Sequence, residues 1–400
     1  MRNLNLLFRI GLFALILVLG TGAALVVGET RSLALADLSE ASIGAVSEAT
    51  GEGTLYTALS GEQQGIYRSD DNGYSWQRVG SAPAADISAL AVNPLRSSLL
   101  YAGTTGQTGD TNRGLLVSDN GGRSWSYTKF ALPVDNSGQA PDVSALTISP
   151  TQPGVVYIGT EGQGLYRYYS QTGQFEKIGG DSLAQIYVKE IVSAPDGQVY
   201  AVATDGLLKI DGSRFQKIDN LPVNAISLAV DPTNPKTLYA GTVGYGAYRS
   251  DDGGQTWTSM NEGLGWQPGI LLWVPSITID PADPAHLALA TGIGVGSEIV
   301  SDGIFESFDS GQSWTKVAQT DSLVEQLSFN DGGIYATTAQ GLTRYGDPLP
   351  ASTTTVWSRL ASLAHPTGVQ ALIMLLTLLF AGWILIARLT WMPAWTHKNA

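Results

Sequence analysis

Four octapeptides carry the acidic residues whose regular spacing could support chemistry in this chain. They occupy residues 69–76, 118–125, 250–257 and 307–314 and share the pattern Ser-x-Asp-x-Gly-x-Ser/Thr-Trp, with Asn120 in the aspartate position of the second copy. Aspartates at fixed positions could bind a metal ion or act as general acids. A local turn explains the same spacing, because an aspartate can accept the backbone N–H groups that follow it and glycine suits positive φ. We therefore predict that the octapeptides are structural and bind neither a metal ion nor a cofactor.

Each octapeptide lies between two short apolar runs, which is the position of a turn inside a β-hairpin. The hydroxyl residues can close the turn, and the tryptophan that begins the next strand can pack between sheets. The residues assigned to this structural role are Ser69, Asp71, Gly73, Trp76, Ser118, Asn120, Gly122, Trp125, Ser250, Asp252, Gly254, Trp257, Ser307, Asp309, Gly311 and Trp314.

This pattern resembles the Asp-box, or BNR, repeat of sialidases, sortilin-type receptors, xyloglucanases and photosystem II assembly factors. The resemblance extends through residues 231–242 and 246–250 into the third octapeptide, and similar units cover roughly residues 42–360. In those proteins the box is a turn at the edge of a β-propeller, away from its axis. The resemblance therefore implies the fold, and it does not choose among the functions of the superfamily.

Similar strand patterns repeat along this region, with or without a box. Each unit reads as four strands, a to d: an alternating strand a such as residues 87–92, a Pro-rich turn, strand b, strand c before the box and strand d after it. Units without a box end at Phe175, Phe215 and Trp357. Spacings of roughly 40–55 residues between b strands are typical of propeller blades. We predict an all-β, seven-bladed propeller of four-stranded antiparallel blades, whose b strands align at Tyr56, Tyr101, Tyr157, Tyr200, Tyr239, Leu287 and Tyr335. How the ring closes is not indicated.

Two uncharged apolar segments flank the repeats. Residues 10–28 are long enough to cross a bilayer as a helix, and could be either an uncleaved signal anchor or a signal peptide cleaved near residues 22–24 or 34–36. Residues 368–387 predict a second transmembrane helix. The expected organisation is a cytoplasmic N-terminus (1–9), the first segment, a linker (29–41), the propeller (42–360), a linker (361–367), the second segment and a cytoplasmic tail (388–400).

Basic residues lie outside both segments. Arg2 and Arg9 precede the first and Arg388 and Lys398 follow the second, so the positive-inside rule places both termini in the cytoplasm and the propeller outside. Without these four, 18 of the 22 Lys and Arg residues remain against all 35 Asp and Glu residues, a net charge of −17 between the segments. Such a domain repels nucleic acid. We expect an extracytoplasmic domain anchored in a plasma membrane, most simply a bacterial one.

The composition does not indicate a catalytic site. The chain has no cysteine and three scattered histidines, which gives no basis for a thiolate or histidine metal site. Glu161, Asp205 and Asp211 are acid candidates by position alone, and solvated loops account for them equally well. Four arginines recur at the end of strand c and therefore indicate a structural role rather than the arginine cluster of a sialidase: Arg68, Arg167, Arg249 and Arg344. We assign no catalytic residue.

Loop lengths indicate which side of the propeller binds. In a four-stranded blade the b–c and d–a connections share one face, and the irregular insertions 104–113, 129–142, 259–273 and 292–303 all belong to it. The loop 259–273 is unusually apolar, so the predicted binding residues are Trp266, Ile270, Leu271, Leu272 and Trp273, although half of this run could be the next strand a. We expect this face to look toward the membrane.

These features predict a membrane-tethered, extracytoplasmic platform that binds or assembles a protein partner not yet identified. The alternative is a glycan-active enzyme, namely a glycoside hydrolase, or a lectin that uses the same loops, and a third option is a photosystem-type assembly factor. Converging axial carboxylates beside a sugar-sized cleft would favour the enzyme, and an apolar loop face would favour the platform.

Overall fold

The computed structural model describes residues 54–60, 64–80, 86–106, 114–128, 132, 140–330 and 333–345, together with the backbone of 32–34 and 42–49. All of them belong to one compact unit, Met1–Gly346. The predicted membrane segments 10–28 and 368–387 lie outside these residues. Within the described part, no helix is both long and apolar enough to cross a bilayer.

Strands account for most of the described chain. The first three blades contain β1 (Ser32–Ala34), β2 (Ser42–Ala49), β3 (Thr54–Ser60), β4 (Gly65–Ser69), β5 (Ser75–Arg78); β6 (Asp86–Asn93), β7 (Arg96–Thr105), β8 (Gly114–Ser118), β9 (Ser126–Tyr127); and β10 (Val143–Ile148), β11 (Val155–Thr160), β12 (Leu165–Tyr169), β13 (Gln174–Ile178). A short 3-10 helix, Gly180–Leu183, leads into the fourth blade.

The remaining four blades follow the same order. They contain β14 (Val188–Ser193), β15 (Val199–Ala203), β16 (Gly206–Asp211), β17 (Arg214–Ile218); β18 (Ala225–Val230), β19 (Leu238–Thr242), β20 (Ala247–Ser250), β21 (Thr258–Ser259); β22 (Leu272–Ile279), β23 (Leu287–Val295), β24 (Glu298–Ser307), β25 (Thr315–Ala318); and β26 (Val324–Asn330), β27 (Gly333–Thr338), β28 (Gly341–Tyr345).

Each blade is a meander of consecutive antiparallel strands. Five sheets have four strands, the first has β1 added beside β5 at its outer edge, and three strands of the seventh are described. The predicted strand d of blade seven, with Trp357, lies outside the described residues. The prediction of an all-β, seven-bladed propeller is confirmed, and every residue used to align the b strands lies on the second strand of its blade.

The core lies between the blades. Seven buried clusters fill the seven gaps between neighbouring sheets, and one of them joins blade seven to blade one through Trp76, Tyr335 and Leu342. The strand-b tyrosines are central to this packing: Tyr56, Tyr101 and Tyr335 are each 1% exposed. Burying large aromatic side chains in each gap provides much of the stability of such a ring.

A glycine two residues after the strand-b tyrosine permits close packing of the blades. A Cβ on Gly103 would lie 2.3 Å from Val143 Cγ1, and one on Gly159 would lie 2.6 Å from Val188 Cγ1. Both valines begin the innermost strand of the following blade. The repeated Tyr-x-Gly-Thr sequence is therefore explained by the approach of strand b to the next strand a.

Blade seven closes the ring by contacts between side chains and backbone. The Tyr335 hydroxyl donates a hydrogen bond to the Asn72 carbonyl in the first octapeptide. Arg344 lies over the rings of both Tyr335 and Tyr74, 5.9 Å from each centroid. The described residues of blade seven therefore meet blade one at its box, a mode of closure that the sequence did not indicate.

Candidate functional site

The serine that opens each octapeptide is the buried centre of its turn. Its Oγ accepts the N–H of the glycine four residues later: the distance is 2.7 Å from Gly73 to Ser69, 2.9 Å from Gly122 to Ser118, 2.8 Å from Gly254 to Ser250 and 2.8 Å from Gly311 to Ser307. The four serines are 1–2% exposed, and the four glycines have φ of 81–90°. Serine and glycine therefore hold the part of the turn that water does not reach.

The aspartate acts on the exposed side of the same turn. Asp252 accepts the N–H groups of Gln255 and Thr256, each at 2.9 Å, and the Thr256 hydroxyl at 2.6 Å. These hydrogen bonds, with that of the Thr256 hydroxyl first, lower the pKa of Asp252 to about 2. In the same way the Ser313 hydroxyl and its neighbours lower the pKa of Asp309 to about 2. Both carboxylates are thus ionised at neutral pH and hydrogen-bonded within their own turns.

Asn120 replaces the aspartate without changing this geometry. Its Oδ1 accepts the Ser124 N–H at 3.0 Å, and its Nδ2 donates to the Ser124 hydroxyl at 2.8 Å. A neutral amide serves the turn as well as a carboxylate does. The box therefore needs an acceptor at this position and not a charge.

The repeated arginines contact aromatic and acidic side chains of their own blade, and Arg249 also reaches the next blade. Arg249 lies 5.6 Å from the ring centroid of Tyr239 and pairs with Asp251 at 2.8 Å. Its Nη1 also donates to the Ser310 carbonyl, in the box of the next blade, at 3.1 Å. Arg68 similarly lies 5.8 Å from the centroid of the Tyr56 ring. The structural role predicted for this position agrees with these contacts.

Two faces of the propeller follow from the strand order. One, the box face, carries the a–b turns and the octapeptides; the other, the loop face, carries the b–c and d–a connections. Glu161 and Asp205 follow strand b of blades three and four on the loop face, whereas Asp211 ends β16 on the box face. Asp205 and Asp211 therefore lie on opposite faces and cannot act on one substrate group.

The predicted binding residues occupy unlike environments. Leu272 and Trp273 begin the innermost strand β22, and Leu272 is wholly buried in the core cluster between blades five and six. Trp266 packs against the same cluster, and its buried Nε1 has no acceptor among the described residues. Ile270 is half-buried and Leu271 is 53% exposed. Of the five, Leu271 offers the most surface to a partner.

Leu271 is part of a cluster of exposed apolar side chains, here called the apolar ridge: Tyr245, Leu271 and Val295. Their exposed fractions are 47%, 53% and 60%. Leu271 packs between Gly244, in the b–c connection of blade five, and Gly294, near the end of strand b of blade six. A Cβ on Gly244 would lie 3.2 Å from Leu271 Cδ2, and a Cβ on Gly294 would lie 3.0 Å from Leu271 Cβ. Tyr245 follows Gly244, and Val295 follows Gly294 at the end of β23.

A second feature lies at the axis, where the innermost strands of neighbouring blades meet. Every one of these strands has a β-bulge near its loop-face end, which places one residue out of register in six strands and two residues, Val274 and Pro275, in β22. The bulged residues include Ser88, Ser144, Lys189, Ile226 and Glu325. Four of them, Ser88, Ser144, Lys189 and Glu325, line a cavity of about 220 Å³, here called the axial channel.

Hydrogen bonds between blades run around the axial channel. The Ser88 hydroxyl donates to the Val143 carbonyl, and the Ser144 hydroxyl donates to the Val188 carbonyl at 2.6 Å. The Lys189 ammonium reaches further and donates to the carbonyls of Ile226 (2.7 Å) and Pro275 (3.0 Å). One lysine therefore links blade four to blades five and six.

Two carboxylates accompany this lysine. Glu190 accepts the Leu228 N–H at 3.1 Å, and Glu325 faces the same cavity. Burial raises the pKa of Glu190 to about 7, against the opposing effects of Lys189 and the Leu228 N–H. Burial also lowers the pKa of Lys189, while Glu190 and Glu325 oppose that change. The three groups are thus electrostatically coupled at the centre of the ring.

The axial channel was not expected from the sequence. The strand a sequences nevertheless contain a sign of it. In blades two and three strand a begins Ile-Ser-Ala-Leu (87–90) and Val-Ser-Ala-Leu (143–146). In blades four and seven it begins Val-Lys-Glu-Ile (188–191) and Val-Glu-Gln-Leu (324–327). Charged residues replace small ones at one repeated position. That substitution marks a site only when the repeat is aligned on strand a.

Comparisons with known proteins agree with this fold. The BNR/Asp-box repeat family model matches residues 248–259, which confirms the Asp-box resemblance. A curated xyloglucanase of Paenibacillus sp is 24% identical over 258 residues, covering 62% of this chain and 23% of that protein. The structure of YCF48 bound to a D1 peptide has a TM-score of 0.58 at 15% identity, covering 80% of this chain and 97% of that chain. The extracellular domain of a one component system of B. thetaiotaomicron has a TM-score of 0.56 at 18% identity, covering 80% of this chain and 40% of that chain.

The three relatives differ in how much of each this chain spans. It spans under a quarter of the xyloglucanase, under half of the B. thetaiotaomicron domain and nearly all of YCF48. At these identities the structures establish the fold alone. The three relatives include a xyloglucanase, as the resemblance implied, and YCF48. None of the three is a sortilin-type receptor, so that part of the resemblance has no support here.

Proposed function

We propose that this chain is a membrane-tethered, extracytoplasmic propeller that binds a partner protein through its loop face. The observation that carries the proposal is the apolar ridge, where Tyr245, Leu271 and Val295 are each about half exposed. Clustered exposed apolar side chains on a rigid scaffold are typical of protein-binding surfaces. An aromatic and two aliphatic residues held in short b–c and d–a connections lose little further freedom on binding.

The charge of the domain indicates the character of the partner. The region between the two apolar segments carries −17, so a partner with basic groups around an apolar contact would be attracted and oriented. YCF48, whose fold this chain shares along nearly its whole length, is bound to a peptide in its own structure. That likeness favours a protein or peptide partner over a polysaccharide.

Tethering is supported by the sequence and by the position of β1. Residues 10–28 end four residues before Ser32, a separation of at most about 14 Å in extended chain. Ser32 pairs with Gln77, toward the end of β5 that leads to the loop face. A short tether attached there favours a loop face turned toward the membrane, within reach of a membrane-embedded partner.

Ridge substitutions test the binding proposal. Leu271→Glu in the full-length protein, purified from its native membrane, should lose its co-purifying partner while keeping its unfolding midpoint. Leu95→Glu is the matched control, because Leu95 is 78% exposed and lies in an a–b turn on the box face. Equal recovery of the partner with both variants would place the interface elsewhere.

Topology is tested separately. Protease added to spheroplasts should digest the propeller and spare tags at both termini, and a lost N-terminal tag would instead show cleavage of the first segment. Single cysteines at Gln267 on the loop face and Asn234 on the box face can carry a fluorophore quenched by lipid-borne quenchers. Stronger quenching at Asn234 would mean that the propeller has the opposite orientation.

A glycan-active enzyme is the second candidate, favoured by the 24% identity to a xyloglucanase and by the two axial carboxylates, Glu190 and Glu325, that line one cavity. Incubation of the full-length chain with xyloglucan, followed by measurement of new reducing ends, separates the two functions. Hydrolysis that disappears in Glu190→Gln would establish the enzyme and displace the platform proposal.

A further inference from the structure

We propose that the axial channel binds a primary ammonium group, supplied either by a free alkylamine or by a lysine or amino terminus of a partner. This site is distinct from the apolar ridge and does not depend on it. The charge balance of the channel, the direction of its hydrogen-bond donors and its size all match such a ligand.

Charge at the axis favours a cation. Glu190 and Glu325 line the channel together with a single lysine, Lys189. Two of the three protons of the Lys189 ammonium are bonded to the carbonyls of Ile226 and Pro275, which fixes that charge at the wall. Above about pH 7, where Glu190 is ionised, one cation against two carboxylates leaves a negative excess inside a ring of protein, where charges are screened less than in bulk water.

The hydroxyl groups of the channel also favour a donor. Ser88 and Ser144 direct their protons into the neighbouring blade, to the carbonyls of Val143 and Val188. Toward the channel they can offer lone pairs only. A ligand rich in N–H donors, such as an ammonium group, matches a wall of hydroxyl and carboxylate oxygens.

Size limits the ligand further. A volume of about 220 Å³ holds a few water molecules or one short alkyl chain with its ammonium head. Leu90 and Leu146 also line the cavity, although their side chains pack mainly between the blades. A primary alkylammonium fills this volume better than a bare metal ion does.

The test uses the full-length protein in detergent and n-butylammonium as the probe, with binding followed by saturation-transfer NMR and calorimetry. n-Butanol has the same shape without the charge, and tetramethylammonium has the charge without N–H donors. We expect saturable binding of n-butylammonium and none of the other two. Equal binding of tetramethylammonium would overturn the proposal, since attraction to net charge would then suffice. Displacement by Ca²⁺ at lower concentration than by the amine would overturn it in favour of a metal site.

Variants locate the site. Glu325→Gln should bind n-butylammonium roughly tenfold more weakly, because one charge-assisted hydrogen bond is lost. Glu298→Gln is the matched control, since Glu298 is exposed at the end of the β23–β24 hairpin, on the same face but outside the channel. Equal affinity of the two variants would overturn the assignment. Glu325 is exposed to the channel, so its substitution should leave the unfolding midpoint unchanged.

Dependence on pH gives an independent readout. Since the pKa of Glu190 is raised to about 7, this carboxylate becomes neutral as the pH falls through that value. Affinity for n-butylammonium should therefore decrease as the pH falls from about 8 to 6, and the decrease should be absent in Glu190→Gln.

An Nα-acetyl-lysine amide distinguishes the two sources of the ammonium group. Binding equal to that of n-butylammonium favours a partner's lysine, and much weaker binding favours a free amine. Failure of the ridge variants above would not affect any of these outcomes.

Discussion

Replacing Ser250 with alanine should destabilise the propeller more than replacing the aspartate that gives the box its name. The Ser250 hydroxyl accepts the buried Gly254 N–H at 2.8 Å, and alanine leaves that donor without an acceptor. An unsatisfied buried N–H costs about 1–3 kcal/mol. With a urea slope of about 3 kcal/mol/M, the midpoint should fall by roughly 0.3–1 M.

Asp252→Ala should cost less, because the N–H groups of Gln255 and Thr256 lie on the exposed side of the turn and can bond water. Ser213→Ala is the control, since Ser213 is exposed in the boxless c–d turn of blade four. Urea unfolding followed by tryptophan fluorescence measures all three. A Ser250→Ala midpoint equal to that of Ser213→Ala would refute the assignment of the buried hydrogen bond.

Three further predictions concern acid, the axis and the tryptophans. Because the pKa values of Asp252 and Asp309 are lowered to about 2, their contribution to stability should be complete above about pH 5 and lost as the pH falls from about 4 to 2. The double variant Asp252→Asn, Asp309→Asn should therefore lose less unfolding free energy than the wild type over this pH range, as measured by urea unfolding. Lys189→Met removes the donor to two carbonyls of other blades and should lower the free energy of unfolding by about 2 kcal/mol or more, whereas an unchanged value would mean that water replaces the ammonium. Trp314→Phe loses the Nε1 bond to the Met260 carbonyl at 2.8 Å and should melt lower than Trp266→Phe, whose Nε1 has no acceptor among the described residues; the reverse order in thermal unfolding would contradict this.

Blade number and the two faces were predictable because each depends on local sequence. A buried tyrosine or leucine repeats once per blade, and a turn residue pattern fixes where each hairpin reverses. Leu272 shows the limit of this reasoning. It belongs to an apolar run that continues without a break from an exposed loop into β22, and only the packing of Leu272 between two blades decides where the strand begins.

The axial channel was not predictable for a different reason. A bulge shifts the alternation of a strand by one residue, so side chains such as Lys189 and Glu190 do not face where a regular pattern would place them. Their neighbours come from strands separated by dozens of residues, as with Lys189 and Pro275. The burial that raises the pKa of Glu190 exists only once the ring has closed.

The uninterrupted course of the chain through each blade has a consequence for rearrangement of the gene. Between β6 and β25 every sheet consists of four successive strands, and no strand is exchanged with a neighbouring sheet. The seam between blade seven and blade one is held by contacts such as Tyr335 to Asn72 and not by a shared strand among the described residues. New ends can therefore be opened in any d–a connection from blade two onward without dividing a sheet. A circular permutant that begins at blade five would keep every one of these four-stranded sheets intact, and whole-blade duplication or loss would likewise insert or remove one complete hairpin pair.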